Sequence, residues 1–280
     1  AEAFERDKTY VFFSHVIKGQ PYNMPMLRRM MEQGCNLIDY ERIVDDQDRR
    51  LIFFGKFAGL AGMINSLWSM GQRLKEFGYT DNPFLKIKQA QHYDSLREAK
   101  EAVSAVGRQI AENGLHSDLQ PLTIGFTGYG NVSIGAQEIA NLLPSKEITP
   151  KQLLELKDRK YIPNNIIYKV IFKEEHISKR KDGSGFDLQD YYSNPDNYEN
   201  NFEQYLPHLS ILMNCMYWDS RYPRIVTKDY LKKSYSSGKP KMTVIGDVTC
   251  DPDGSIECTH KGTEIEDPVF VYDPATDKPT

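Results

Sequence analysis

Hydrophobic residues in the first third of the chain fall into short continuous runs and longer stretches with helical spacing. Residues 10–13 form a continuous apolar run, the pattern of a strand buried on both faces in a parallel sheet. A helix is predicted at 25–33, and two more strands at 36–40 and 51–54. These elements predict a small α/β unit.

A longer helix is predicted at 57–77, where small residues precede an apolar face. Its small residues are Ala58, Gly59, Ala61 and Gly62. They allow the first turns to lie very close to a neighbour. The pattern leaves open whether that neighbour is a sheet or a bound cofactor.

The remaining two thirds of the chain alternate between strands and helices. A capping-box sequence at 95–98 begins a helix that ends near 113, and an apolar strand at 122–127 leads into a glycine turn and another helix. Later strands are predicted at 166–172, 211–216 and 242–248. The fold class is therefore α/β, with a doubly wound parallel-sheet (Rossmann) dinucleotide-binding domain and a second, partial Rossmann-like substrate domain.

The predicted domains follow from this order of elements. Residues 1–92 form the substrate-binding α/β domain, which we expect to be incomplete at its amino end. Residues 93–114 form a connecting helix, and residues 115–280 form the Rossmann domain. The Asn-, Asp- and Tyr-rich stretch at 182–205 is predicted to be a surface excursion.

Composition excludes several classes of function. A net charge of −4 and a pI near 5.9 argue against a nucleic-acid groove. No apolar run is long enough for a membrane span, so no membrane partner is expected. The four cysteines lack the spacing of a zinc site, so no metal site is expected. A reducing intracellular compartment is the simpler default for them. The alternative is an oxidising compartment, where Cys250 and Cys258, which flank a turn, could form a disulfide.

The glycine turn carries the clearest chemistry. It follows a strand and opens a helix, the setting in which backbone amides hold a pyrophosphate. The candidate cofactor-binding residues here are Gly128, Gly130, Asn131, Val132 and Ser133. Ser133 stands where a third glycine is usual. The alternative is a turn that binds nothing.

Residues beyond the glycine turn bear on the choice of cofactor. The stretch 145–150 shows no acid at a strand end to hold a ribose, and Lys146 and Lys151 lie nearby, which favours NADP over NAD. Asn214 and Asp247 end later strands and are predicted to face the cofactor cleft. For Asp247, a solvated turn position is the alternative.

Four charged or titratable residues of the first segment are predicted to meet at one sheet edge. His15 and Lys18 follow the first strand, Glu41 follows the next, and Arg50 begins the third. Such a set can transfer protons and hold a carboxylated substrate. The alternatives are a structural histidine and an ordinary ion pair between Glu41 and Arg50.

These segments together resemble the lysine-ketoglutarate reductase half of the bifunctional lysine-ketoglutarate reductase/saccharopine dehydrogenases, the α-aminoadipic semialdehyde synthase family. The matching stretches, in chain order, are FFSHVIKGQ (12–20), LIDYE (37–41), FAGLAGMIN (57–65), FTGYGNVS (126–133) and GSIE (254–257). Lysine-forming saccharopine dehydrogenase and alanine dehydrogenase are similar at greater distance.

The resemblance implies condensation of L-lysine with 2-oxoglutarate and reduction of the imine by NADPH to saccharopine, in lysine degradation. It implies that His15 and Lys18 are catalytic and that Glu41 and Arg50 bind substrate. Expected partners are these small molecules and a fused or separate saccharopine dehydrogenase domain, with an oligomer as a further possibility. The expected location is the cytoplasm, or alternatively the mitochondrial matrix.

One departure from the family pattern concerns a catalytic lysine. Family members carry it in a Lys-Glu-x-Pro segment, and nothing before His15 matches that segment. We expect the chain to be a fragment, or to lack part of the active site. The competing hypotheses are a catalytically incomplete dinucleotide-binding or regulatory module and a related amino-acid dehydrogenase.

Overall fold

A computed structural model describes residues 4–17, 19, 21–238 and 240–279, and only the backbone of Tyr22. Internal contacts divide the chain into two compact units, residues 1–54 and 55–280. The domain limits at 92 and 114 remain a prediction. The two units are described separately.

The first unit is a βαβ arrangement. Strand β1 (Thr9–Phe12) leads through a loop to helix α1 (Met24–Glu32), and strand β2 (Asn36–Asp39) pairs with β1 in parallel. Proline in the first turn of α1 suits its start, because that position needs no N–H donor. The two predicted strands and the helix are confirmed.

Two expectations for this unit are wrong. Strand β1 is half-exposed, with Val11 57% accessible, so it is not buried on both faces. Residues 51–54 form no strand; Arg50 makes only an isolated bridge to Val44, and Leu51, Phe53 and Phe54 are exposed. An apolar run becomes a buried strand only where a neighbouring strand and a packed layer cover it.

The second unit is built on a five-stranded parallel sheet. In chain order its strands are β3 (Thr123–Thr127), β4 (Ser145–Glu147), β5 (Ile167–Phe172), β8 (Ile211–Asn214) and β9 (Val244–Asp247). Two small antiparallel pairs accompany it: β6 (Ser178–Arg180) with β7 (Tyr198–Asn200), and β10 (Tyr272–Asp273) with β11 (Lys278–Pro279). The doubly wound parallel sheet is thereby confirmed.

Helices cover both faces of this sheet. They are α2 (Gly55–Glu76), α3 (Leu96–Asn113), α4 (Asn131–Ala140), α5 (Pro150–Glu155), α6 (Glu174–Ile177), α7 (Leu188–Ser193) and α8 (Lys228–Ser236). One apolar core contains α2, α3 and α4, and a second core contains β5 side chains such as Val170 and Phe172. Among the described residues, no helix has the length and apolar character to span a bilayer.

The strand order is β4-β5-β3-β8-β9. After β3 and α4 the chain runs to the edge strand β4, and it then returns through α5 to place β5 directly beside β3. The strand next to β3 is therefore not the one that follows it in sequence. This order decides which strand end lies beside the glycine turn.

Helix α2 packs tightly on α4. A β-carbon at Gly135 of α4 would lie 2.0 Å from the Lys56 carbonyl oxygen, and one at Gly62 would meet Val248. The small residues of α2 thus serve close packing, chiefly helix on helix. The glycines settle the question that the sequence left open, since the Val132 backbone lies beside Gly59 and the Val248 side chain lies beside Gly62.

The stretch 182–205 is not only a surface excursion. Tyr191, Tyr198 and Phe202 within it are buried, and the Tyr191 and Tyr198 rings meet edge to face at 5.1 Å. The many polar residues of this stretch led the sequence prediction to miss its buried aromatic cluster. Elsewhere, all four cysteines are free, including Cys250 and Cys258.

Candidate functional site

The glycine turn connects β3 to α4 as the sequence predicts. Gly128 has a φ of +80°, a conformation that favours glycine, and its N–H donates to the Phe172 carbonyl at 3.0 Å. Gly130 is the N-cap of α4, and a β-carbon there would meet nothing within 4 Å. Gly128 is needed for its positive φ, and Gly130 leaves open space at the amino-terminal, positive end of α4.

The first turn of α4 holds the other predicted cofactor-binding residues of this motif. Ser133 is fully buried, and its hydroxyl accepts from Gln137 Nε2 at 2.9 Å. Asn131 is exposed and Val132 is half-buried against Gly59. Serine fits in place of the third glycine because its small side chain bonds within α4. The binding roles of Asn131, Val132 and Ser133 remain predictions.

Asn214 and Asp247 are brought together at the ends of β8 and β9. The Asn214 Nδ2 donates to Asp247 and to Ser255, each at 2.8 Å, while its Oδ1 accepts from Thr127 at 2.8 Å. The buried Asn214 side chain therefore has every hydrogen-bonding group engaged within the protein. It ties three strand ends together, and its predicted contact with cofactor remains untested.

The Asp247 carboxylate is also enclosed by donors. It accepts from Asn214 Nδ2, from the Thr249 hydroxyl at 2.7 Å and from the Thr259 hydroxyl at 2.6 Å. Sequence reasoning missed Ser255 in this network, although the GSIE segment that contains it was among the matching stretches. The network fixes the carboxyl edge of β3, β8 and β9, where ligands bind in open α/β sheets.

Two acids stand at strand ends on the other side of β3. Strand β4 ends on Glu147, so the expectation that no acid ends that strand is wrong. Glu147 pairs with Lys169 Nζ at 3.1 Å, and β5 separates it from β3. Lys146 is exposed on the same edge strand.

The second acid, Glu174, was missed by sequence reasoning. It lies just after β5, and its carboxylate accepts from the Tyr129 hydroxyl at 3.3 Å and the Tyr192 hydroxyl at 2.9 Å. The negative charge of Glu174 raises the pKa of Tyr129, and burial followed by the same carboxylate raises the pKa of Tyr192. Both phenols thus stay protonated and can donate at neutral pH.

The first unit brings His15, Glu41 and Arg50 together. His15 Nδ1 lies 3.3 Å from Glu41 Oε2, and Arg50 Nη1 lies 3.7 Å from Glu41 Oε1. Phe13 contacts both partners of Glu41, because its ring stacks on the His15 ring at 5.2 Å and lies under the Arg50 guanidinium at 5.7 Å. The predicted meeting of these three side chains is confirmed, although Arg50 does not begin a strand. Their chemical roles remain predictions.

Local structure fixes His15 and Glu41. His15 adopts a φ of +51°, and its carbonyl accepts from Asn23 Nδ2 at 3.1 Å. Asp39 accepts from the Glu41 N–H at 2.9 Å and from the Ser14 hydroxyl. A non-glycine residue held at positive φ is uncommon and occurs often at functional sites. Lys18, the fourth predicted residue, lies outside the described residues.

The comparisons with known proteins agree with the motifs. The chain is 41% identical over 280 residues to α-aminoadipic semialdehyde synthase of Arabidopsis thaliana, covering 96% of this chain and 26% of that protein. It is 36% identical over 280 residues to the mitochondrial α-aminoadipic semialdehyde synthase of Bos taurus, covering 95% of this chain and 30% of that protein. The resemblance noted from the motifs is confirmed.

The chain matches only part of each relative, and the two remaining comparisons give little further information about its family. The chain spans about a quarter to a third of the length of the curated relatives it matches. No family model matches it. Among solved structures, an L-alanine dehydrogenase is 13% identical with a TM-score of 0.40, covering 82% of this chain and 48% of that one.

Proposed function

We propose that this chain carries the reductase chemistry of a lysine-ketoglutarate reductase: condensation of the L-lysine ε-amine with 2-oxoglutarate and reduction of the imine to saccharopine. Similarity along 96% of the chain to α-aminoadipic semialdehyde synthase carries the proposal. The strand, glycine turn and helix around Gly128 support a dinucleotide site.

The cofactor in this proposal is a nicotinamide dinucleotide. Bound at the glycine turn, it would supply the hydride that reduces the imine carbon. Open space at Gly130 and the free N–H groups that begin α4 suit a pyrophosphate. The sequence favoured NADP over NAD because no acid was expected at the end of β4 and because Lys146 and Lys151 lie nearby. Glu147 removes the first of these reasons and leaves the second.

His15, Glu41 and Arg50 suit the chemistry of the substrates. Imine formation releases water, and reduction adds one proton to the nitrogen, so a group that exchanges protons is needed. The His15 imidazole beside the Glu41 carboxylate can do this. Arg50, with its side chain 41% exposed, can bind a substrate carboxylate through two parallel N–H groups.

The longer relatives bear on partners and location. We propose that the chain works beside a fused or separate saccharopine dehydrogenase domain, since the relatives extend far beyond the matched region. The bovine and mouse relatives are named as mitochondrial, which supports the mitochondrial matrix over the cytoplasm.

The test is an assay of the full-length protein with lysine, 2-oxoglutarate and either NADPH or NADH. We expect loss of absorbance at the reduced-nicotinamide band that requires both substrates, with saccharopine identified by mass spectrometry. Cofactor binding without turnover would instead indicate a binding or regulatory module. Turnover with another amino acid only would indicate a related dehydrogenase.

A further inference from the structure

We infer that Lys157, His208 and Lys241 form a binding site for a small, doubly charged anion, a phosphate or a dicarboxylate. The three basic side chains come from three separate segments of the second unit. The proposed reductase chemistry uses none of them, so this site is independent of that function.

A shared apolar core holds the three basic residues in one place. Each of them is adjacent in sequence to a buried residue of that core, namely Leu156, Leu209 and Met242. The Lys241 Nζ donates to the His208 carbonyl at 2.9 Å, which joins two of the segments directly. Packing of the core therefore brings together cations that are distant in the chain.

The cluster lies at the amino edge of the parallel sheet. His208 precedes β8, and Lys241 precedes β9. The hydroxyl of Thr123, the first residue of β3, donates to the same His208 carbonyl at 2.6 Å. The glycine turn follows the other end of β3, so the two places lie at opposite edges of the sheet. An anion bound at the cluster leaves the dinucleotide site open.

Lys241 is half-buried and has hydrogen-bonding capacity to spare. An ammonium has three N–H donors, and among the described residues the His208 carbonyl is the one acceptor bonded to Lys241. Lys169, a buried lysine of the same unit, is compensated in full, since its Nζ meets two amide oxygens and the Glu147 carboxylate. Two donors of Lys241 therefore remain for a ligand.

The positive charges of the cluster have no acid beside them. Burial alone lowers the pKa of Lys241 to about 8. Burial, followed by the charges of Lys241 and Lys157, lowers the pKa of His208. In the part of the chain that the structure describes, none of the three pairs with a carboxylate, although Asp158 adjoins Lys157. An anion held between them would replace this mutual repulsion with attraction.

The available groups match a doubly charged anion. Two ammonium groups supply two positive charges, and the half-buried His208 imidazole adds a further donor. A phosphate or a pair of carboxylates offers the matching charge and acceptor oxygens. Because the whole chain has a net charge of −4, the cluster is a local excess of positive charge and not a property of the general surface.

The test is calorimetric titration of the full chain with inorganic phosphate and with succinate at constant ionic strength. We expect saturable binding of at least one of these anions, together with a rise in melting temperature. Tighter binding of phosphate would indicate a phosphorylated ligand, and tighter binding of succinate a dicarboxylate. Lys241→Met removes the charge and keeps an unbranched apolar side chain, and it should weaken the bound anion about tenfold or more.

The matched control is Lys181→Met. Lys181 also donates its Nζ to a backbone carbonyl, that of Asp196 at 2.7 Å, but it is exposed and lies outside the cluster. Its substitution should leave the affinity unchanged. A second measurement is the titration of His208 by NMR, with the signal assigned through His208→Asn. Saturating anion should raise the pKa of His208, because a nearby negative charge favours the imidazolium.

Three results would overturn the site: binding of neither anion, equal affinity of Lys241→Met and the wild-type protein, and an unchanged pKa of His208 at saturating anion. If Lys241→Met does not fold, Lys157→Met takes its place, since Lys157 is exposed and its loss leaves the core intact. A severalfold loss of affinity in Lys157→Met would support the site, and an unchanged affinity would reject it.

Discussion

Gly59 of α2 lies against the backbone of Val132 in the first turn of α4. A β-carbon on Gly59 would stand 1.9 Å from the Val132 carbonyl oxygen and 2.8 Å from the Ala136 nitrogen. Any side chain at Gly59 must therefore move α4 away from α2. Since α4 starts at the glycine turn, this contact determines where the turn lies.

Gly59→Ala should lower both stability and dinucleotide affinity. Overpacking of this kind costs about 1–3 kcal/mol, and each kcal/mol lowers the melting temperature by roughly 2–4 °C in a unit of this size. Thermal unfolding followed by circular dichroism measures the first effect, and cofactor titration measures the second.

The control for this substitution is Gly185→Ala. Gly185 lies in an exposed loop, where a β-carbon would meet nothing within 4 Å. It should change neither the melting temperature nor cofactor binding. If Gly59→Ala behaves like Gly185→Ala, the close contact between α2 and α4 is wrong.

Close helix packing was only half predictable from sequence. Small residues at 58, 59, 61 and 62 showed that something approaches α2 closely. Glycine has no side chain, so nothing in the pattern tells a helix from a sheet or a cofactor as its neighbour. The helical period, in contrast, predicted α2 and α3 to within about two residues.

Strand order was the part of the candidate site that the sequence could not provide. Periodicity identified β3, β5, β8 and β9. It could not show that β5 lies between β4 and β3, because that depends on how the sheet faces are covered. The sequence therefore indicated 145–150 as the strand end beside the glycine turn, and the position of Glu174 against Tyr129 was missed. His15, Glu41 and Arg50 were found because short connections bring their segments together in the first unit.

Asn214→Ala should destabilise the second unit by about 3 kcal/mol. The substitution leaves Thr127, Asp247 and Ser255 each without one hydrogen-bond partner, and unmet buried polar groups are costly. Urea unfolding gives the change in free energy. Asn165→Ala, which removes one exposed amide bonded to the Ala111 carbonyl, is the control and should have little effect. Equal stability of the two variants would contradict the role of Asn214 as the link between strand ends.

The thiols of Cys215 and Cys258 should resist alkylation in the folded protein. Burial, followed by the charge of Asp247, raises the pKa of Cys215 to about 12, and burial raises that of Cys258 to about 12. Thiolate, the reactive form, is therefore scarce at pH 8. Mass spectrometry after iodoacetamide treatment should find both residues unmodified until denaturant is added. Cys250, whose pKa is also raised but whose side chain is exposed, should be modified before them. Rapid labelling of Cys215 in the folded protein would contradict this, because it would show that the carboxyl ends of the strands are transiently exposed to solvent.

The Asp39 carboxylate should make the protection of backbone amides in the first unit against hydrogen exchange depend on pH. Burial alone would raise the pKa of Asp39, but hydrogen bonds from the Ser14 hydroxyl and the Glu41 N–H outweigh it and lower the pKa. Because the folded pKa is lowered, its contribution is present above the unfolded pKa of about 3.9 and is lost as pH falls through the folded value.

Asp39→Asn should accordingly weaken amide protection of Glu41 at pH 7, and the difference between the variant and the wild-type protein should be smaller at pH 3, below the unfolded pKa of about 3.9. Hydrogen exchange corrected for its intrinsic pH dependence measures this difference. Asp46→Asn, an exposed acid in the same unit, should behave like the wild-type protein at both pH values. A pH-independent effect of Asp39→Asn would show that its charge is not what matters.

His15 should be needed for turnover and not for dinucleotide binding. It lies in the first unit beside Glu41, whereas the glycine turn belongs to the second unit. Loss of a proton-transferring group lowers turnover by about a hundredfold or more. His15→Ala tests this directly, and His15→Asn separates chemistry from backbone strain, because asparagine tolerates the positive φ of 51° at this position but transfers no proton.

Both variants should lose turnover and bind the cofactor normally, with exposed His92→Ala as the unaffected control. Recovery of turnover in His15→Asn, or equal loss of turnover and binding in both variants, would make His15 a structural residue and leave Glu41 and Arg50 as an ordinary ion pair.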